Sequence, residues 1–379
     1  MFDINFYMKI AELKSRLMNG EEFDREFVFN QFEQVRSTEP VLYNFETTNA
    51  CNMKCKMCPR TTMMTRRIET IDNDIFRRVI DQLKPFPEED WQKWQDFVEK
   101  DYGIPREEQS ENHFLRHILP KVIVLHGYGE PILDKYIAER VKTVSERKLH
   151  SYFSCNPANI DVEKILKIFE NGLSYIKFAI ETVDDARHKQ IRGPASNFTD
   201  SYRKILRLIE LKEKYGYQTV IIITMLNFSS SWEKDEFQKL KDSFKNTDVY
   251  IYLKSQDQLW YENNKQPIKA VSWLEFCHFP WTSLTVKSNG QVAMCVEDFN
   301  NEIILGDAAK ETLRSIWNGR RYSAFRRMHF QLKKGIKCTD QCDMKLIGNM
   351  NLKGKLPAIR ETVEKLHKSL EVKKETLYG

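Results

Sequence analysis

Six short runs rich in β-branched and aromatic residues recur between Val41 and Leu253, and stretches of helical periodicity separate them. The runs are Val41–Glu46, Val122–His126, Ser151–Ser154, Tyr175–Glu181, Thr219–Met225 and Val249–Leu253. Between them Asp72–Leu83, Asp134–Arg147, Asp161–Glu170, Phe198–Tyr215 and Glu233–Phe244 carry apolar residues at helical spacing, several opening on an Asp where an N-cap is expected. Such alternation leaves few solutions other than a parallel sheet with right-handed crossovers. The expected fold is therefore α/β, a partial (β/α)6 TIM-like barrel or open sheet over residues 41–256. Sites in such sheets lie at the C-terminal ends of the strands.

One interval breaks the rhythm. Residues 84–120, with Trp91, Trp94 and Phe97, are too long for an ordinary helix-to-strand connection and predict a helical insertion packed on the body, or else a lid. Residues 1–40 carry Ile4, Tyr7, Met8, Ile10, Leu13 and Leu17 near helical spacing before Asn19-Gly20, which predicts a helical cap on the barrel.

The 379-residue chain is 41% hydrophobic, enough for one large domain and a smaller one. No apolar run reaches membrane-spanning length and the N-terminus lacks a signal-peptide pattern, so a cytoplasmic protein without a membrane partner is expected. A net charge of only +5, with acids and bases interspersed, calls for no nucleic-acid partner. In that setting eight cysteines point to metal binding before disulfides.

The first predicted strand runs into Cys51-Asn52-Met53-Lys54-Cys55-Lys56-Met57-Cys58. Three thiolates on one tight loop are soft anionic ligands, suited to iron–sulfur clusters and to zinc. Without a near fourth cysteine they can hold a cubane by three corners and leave one iron open. A zinc site completed by His126 or His188 is the alternative. Other strand ends carry Glu46; the run His126-Gly127-Tyr128-Gly129-Glu130; Cys155-Asn156; and Glu181, with His188 and Arg192 downstream. Glycines let backbone approach a ligand, and a carboxylate beside them can receive an ammonium group. Arg60, Arg66 and Arg67 place positive charge behind the loop that could suit an anionic substrate but reads first as solvated surface, and His188, which could face substrate, reads first as a surface-helix residue.

The C-x3-C-x2-C loop with an Asn after its first Cys resembles the cluster loop of the radical S-adenosylmethionine (SAM) enzymes. That resemblance implies a [4Fe–4S] cluster on Cys51, Cys55 and Cys58, whose open iron binds SAM and cleaves it reductively to a 5′-deoxyadenosyl radical. It also implies a one-electron donor of flavodoxin or ferredoxin type. Gly127, Gly129 and Glu130 match the family's glycine–glutamate motif, which binds the SAM amino group. Asn156 matches the Asn of its third-strand turn, while Cys155 and Pro157 depart from it. Arg192 is the expected partner of the SAM carboxylate, and Met57 stands where relatives carry an aromatic residue against the adenine. Glu46 and Glu181 are candidate substrate contacts. Cys155 at the chamber rim is either a buried small hydrophobe or a hydrogen-atom donor.

Farther on, Cys277 and Cys295 flank an alternating stretch around Asn289-Gly290, a hairpin signal, and Cys338 and Cys342 follow a helical segment. Four cysteines can close a metal shell, with iron–sulfur or zinc. The arrangement resembles the SPASM and twitch auxiliary-cluster domains. Only these four cysteines remain for it, so a small C-terminal twitch-type hairpin/helix domain (residues 257–349) with one auxiliary [4Fe–4S] cluster is expected, although Cys338-x3-Cys342 is one residue wider than usual. Residues 350–379 read as a terminal helix.

The expected activity is an oxidoreductase that dehydrogenates or epimerises a small molecule such as a sugar or aminocyclitol, the auxiliary cluster taking or supplying an electron. A ribosomally made peptide is the alternative substrate, and a non-catalytic zinc scaffold the alternative of a different class.

Overall fold

The computed structural model describes residues 1–18, 21, 24–227, 231–254, 277–331, 335 and 338. The Asn19-Gly20 stop, Cys342, the expected boundary near residue 256 and the terminal helix at 350–379 lie outside the described residues.

All six predicted strands form, within two residues of their expected ends: β1 (Leu42–Phe45), β2 (Val122–Val124), β3 (His150–Cys155), β4 (Tyr175–Ala179), β5 (Val220–Leu226) and β6 (Val249–Lys254). They pair in parallel in sequence order. Helices Asn73–Ile80, Ile137–Glu146, Val162–Glu170, Phe198–Tyr215 and Glu233–Ser243 connect them. The caps follow the acidic signals: the Asp72 carboxylate accepts from the amides of Asp74 and Ile75, and Asp161 accepts from that of Lys164. Asp134 is an exception. Its carboxylate is buried against Arg140 at 2.7 Å, and the helix starts three residues later.

Because successive strand residues face opposite ways, each strand divides its side chains between two cores. Ile123, Phe153, Ile176, Phe178, Ile221 and Ile223 point outward into the layer of helices, in the large cluster that holds most of the buried apolar surface. Val122, Val124, Tyr152, Ile222, Tyr250 and Tyr252 point inward and pack on the 84–120 interval, against Trp91, Trp94, Phe114 and Ile118. That interval forms helix Glu88–Phe97 and several shorter turns. It is a plug under the barrel lumen and not a lid over the strand C-termini.

The sheet does not stop at six strands. β7 (Leu284–Val286) pairs in parallel with β1, then β8 (Gln291–Ala293) and β9 (Ile304–Asp307) add antiparallel, giving one nine-stranded sheet in the order β6-β5-β4-β3-β2-β1-β7-β8-β9. The predicted Asn289-Gly290 turn joins β7 to β8, with Gly290 at φ +81°, where a side chain would be strained. The N-terminal helices Ile4–Lys9 and Arg25–Val35 pack on this C-terminal part as much as on the barrel: Phe6, Phe29 and Phe32 cluster with Trp281 and Phe330.

Candidate active site

The strand ends open on a cavity of about 270 Å³. Its wall contains Cys51, Cys55, Met57 and Cys58 from the loop after β1, Gly127, Gly129 and Glu130 from the loop after β2, Cys155 and Asn156 at the end of β3, and Glu181 and Arg192 beyond β4. Ten of the eleven residues just named come from loops or the last residue of a strand, and Arg192 ends the helix Asp185–Arg192.

The three thiols border a common space. Thiolates so grouped can ligate an iron–sulfur cluster or zinc. Burial raises the Cys51 thiol and pushes Cys58 up to about 11, so both must shed protons when they ligate metal.

Two glycines are required by sterics. A Cβ on Gly129 would lie 2.0 Å from the Thr48 carbonyl oxygen, and one on Gly127 would lie 2.3 Å from Glu46 Oε2. Their bareness lets the β2 loop lie flat against the chain leading into the cysteines. Glu130, held there, accepts from the amides of Asn156 (2.9 Å) and Ile132 (3.4 Å). Burial outweighs these hydrogen bonds and raises its carboxyl to about 7.

Asn156 Nδ2 and Arg192 Nε are buried and have no hydrogen-bond partner among the described residues. Buried polar groups are rarely left so, and both side chains line the cavity. Arg192 is otherwise committed. It forms an ion pair with Glu181, and its Nη1 donates to Cys55 Sγ at 3.8 Å. Burial opposes the Arg192 charge, but Glu181 and Cys55 beside it more than offset that. Three thiols, a carboxylate poised for an ammonium group, two unsatisfied donors and close-approaching backbone together fit a cluster and SAM.

Three expectations need correction. Glu46 is fully buried outside the cavity wall, where Arg66 binds its two oxygens at 2.7 and 2.9 Å. Arg66 is therefore a buried ion-pair partner, only 7% exposed, and not solvated surface; Arg67 is exposed. His188 is buried, its Nδ1 sharing a 2.7 Å hydrogen bond with Ser196 Oγ, because the far side of its helix packs inward.

In the C-terminal part, Cys277, Cys295 and Cys338 are described, and burial raises the Cys295 thiol well above its ordinary value. His329, which sequence reasoning missed, links two of them. The Cys277 amide donates to its Nε2 at 3.0 Å, so the ring proton sits on Nδ1, 3.2 Å from Cys338 Sγ. Lys177 and Lys254, also missed, line the barrel cavity. The available signal was a cation at an inward position of an otherwise apolar strand.

Residues 45–240 match the radical SAM superfamily, and residues 277–343 match the SPASM iron–sulfur cluster-binding domain. The chain belongs to the radical SAM superfamily. Among solved structures, this radical SAM enzyme is similar to SuiB of Streptococcus suis, with 12% identity, TM-score 0.53 and 90% of this chain and 88% of that one covered. It is similar to anSMEcpe with bound AdoMet at 13% identity and TM-score 0.50, covering 89% and 96%. BtrN in complex with AdoMet and 2-DOIA matches at 15% identity and TM-score 0.47, covering 80% and 94%. No match was found among curated protein sequences. At these identities the likeness is one of fold. Membership brings the SAM-binding [4Fe–4S] cluster and SAM, and the SPASM region brings auxiliary iron–sulfur. Among the described residues no helix is long and apolar enough to cross a membrane.

Proposed function

We propose that this radical SAM enzyme oxidises or epimerises a small polar molecule such as a sugar or aminocyclitol, with Cys155 deciding between the two outcomes. The observation that carries the reading is the place of Cys155: the last residue of β3, it borders the chamber that the 84–120 plug closes from below, with its side chain buried at the edge of the outer apolar cluster that also holds Phe153. With its inner end closed by the plug, the chamber is approached among the described residues from the strand C-termini, where the cysteine loop stands.

Cys51, Cys55 and Cys58 would hold the first cluster. Cys277, Cys295, Cys338 and Cys342 would hold one auxiliary cluster of the twitch kind. When bound, the first cluster and SAM supply a carbon-centred radical that removes a hydrogen atom from substrate. The chain's own work is placement. Glu130 receives the ammonium group of SAM, Asn156 and Arg192 supply donors to its carboxylate and ribose, Gly127 and Gly129 let backbone close on it, and Met57 packs on the adenine. Glu181 holds Arg192 in position and borders the substrate space. Fixing both reactants in one orientation is where most of such an advantage comes from. The electron arrives from a flavodoxin- or ferredoxin-type donor.

Burial keeps Cys155 as a protonated thiol, its pKa well above the ordinary value. A thiol S–H on the chamber wall can return a hydrogen atom to the face opposite the one attacked, which inverts the carbon; the thiyl radical left on Cys155 would be restored by one electron from the auxiliary cluster and one solvent proton. Oxidation leaves Cys155 unused: the substrate radical would lose a proton to solvent and an electron to the auxiliary cluster, and so become a carbonyl.

The test is incubation of anaerobically reconstituted enzyme with SAM, reductant and a panel of sugars and aminocyclitols in D2O. Epimerisation gives 5′-deoxyadenosine and an isomer carrying one solvent deuterium, both isomer and label lost in Cys155→Ala. Oxidation gives a product lighter by two hydrogens that survives Cys155→Ala. Turnover confined to peptides would overturn the small-molecule reading.

A further inference from the structure

On β2, β3, β5 and β6 the inward face that rests on the plug continues, one alternation on, into the active-site cavity. Val122 and Val124 lead to His126, Tyr152 leads to Ser154, Ile222 leads to Thr224, and Tyr250 and Tyr252 lead to Lys254. On β4 the inward position after Tyr175 is Lys177, in register with Ser154 of the cavity wall on one side and with Ile222 of the floor on the other. The ammonium group stands over the Phe114 ring of the plug and the Tyr152 ring of β3, at 5.7 Å from each centroid. It is therefore the first polar group above the apolar floor.

Among the described residues no carboxylate comes within ion-pair distance of Lys177. Glu181, the nearest acid of the chamber, is bound by Arg192, and both Glu181 and Glu111 act on the lysine only at longer range. Lys254 faces the same space from β6 and adds a like charge. Burial, with Lys254 and Arg192 adding repulsion, lowers the Lys177 amine to about 7; burial and Lys177 together push the neighbouring His126 down to about 3, so that ring is neutral. Two aromatic faces return only part of what an ammonium group loses on leaving water. A methionine of the same length would fill the position at lower cost, so packing alone does not account for a lysine here.

We propose that Lys177, with Lys254 beside it, anchors an acidic group, a carboxylate or a phosphate, at the inner end of the substrate. The anion would sit between the two amines, with the Ser154 hydroxyl in register with Lys177 and the Thr224 hydroxyl one alternation farther along β5 as neutral donors. The rest of the substrate then extends toward Cys155 and the cysteine loop. The plug fixes how deep that anchor lies, and so which carbon is presented. This rests on the chamber being the substrate site, as argued above.

The test is calorimetric titration of reconstituted enzyme with inorganic phosphate and with acetate, at saturating SAM so that the cofactor's own anion site is filled. Wild type is expected to bind one of them saturably. Lys177→Met should weaken that binding at least tenfold and Lys177→Arg should restore most of it. Tighter phosphate indicates a phosphorylated substrate, tighter acetate a carboxylic acid. Iron content and melting temperature establish that the variant is folded; if Lys177→Met loses its clusters, Lys177→Gln carries the same comparison. Equal affinity in the folded variants, or no binding of either anion to wild type, overturns the proposal. Because the titration does not depend on turnover, it can fail while the small-molecule reading stands, and the converse.

Discussion

Ser288 Oγ donates a 2.9 Å hydrogen bond to Glu46 Oε1, joining the turn of the C-terminal hairpin to the end of β1. The same carboxylate binds Arg66 and accepts from the Tyr128 amide at 3.3 Å. One buried anion thus ties together the first strand, the segment after the cysteine loop, the glycine loop and the hairpin. Glu46→Ala would leave Arg66 buried and uncompensated, a loss of about 3–5 kcal/mol for a buried pair broken on one side. Thermal unfolding of the reconstituted protein should show a clear drop in midpoint, smaller for Glu46→Gln. An unchanged midpoint would contradict this role.

The cysteines proposed as cluster ligands form two sets. Replacing Cys51, Cys55 and Cys58 together by Ala should lower iron from about eight to about four per chain and abolish SAM cleavage. Replacing Cys277 and Cys295 should remove the other portion of iron while leaving a SAM-binding cluster detectable by spectroscopy. Zinc in place of iron after anaerobic reconstitution would count against both assignments.

SAM affinity should depend on pH through Glu130. With its carboxyl raised to about 7 by burial, the group is protonated below that pH and cannot pair with an ammonium group without first losing a proton. The dissociation constant should therefore rise by up to about tenfold per unit as pH falls below about 7, and level off above it. Equilibrium binding of SAM across that range measures the slope, and Glu130→Gln should bind weakly with no slope of this origin.

Gly129→Ala is expected to cost more than its size suggests. The added methyl meets a backbone carbonyl that cannot rotate away, so the glycine loop must lift from the cysteine loop. Loss of SAM binding with the barrel's circular dichroism retained is the outcome that matches. Wild-type affinity would show that the loop has room to move.

Much of this was legible because it is local. The six strands came from runs whose burial is two-sided, and the cysteine loop from a spacing that lies within one turn of chain. What was hidden is pairing over distance. Nothing near Glu46 announces that Arg66 and Ser288 will surround it, so an acid at a strand end looked like a substrate contact. His188 looked solvated because its helix is polar overall, whereas its ring is buried and its Nδ1 pairs with Ser196 eight residues on. The 84–120 interval showed its tryptophans but not that they lie beneath the lumen. Lys177 was visible as an anomaly in Tyr-Ile-Lys-Phe-Ala, yet only the register with its neighbours tells which face it takes.

The parallel pairing of β1 with β7 has a consequence for how the molecule is made. A sheet ending at β1 would present a row of unpaired amides and carbonyls, the kind of edge along which chains aggregate. Leu284, Thr285 and Val286 cover that row, but they emerge from the ribosome only after the whole barrel sequence has been synthesised. The nascent chain must therefore wait with its first strand half-partnered, a non-local closure that slows folding. Loss of the hairpin would then cost solubility before it cost chemistry.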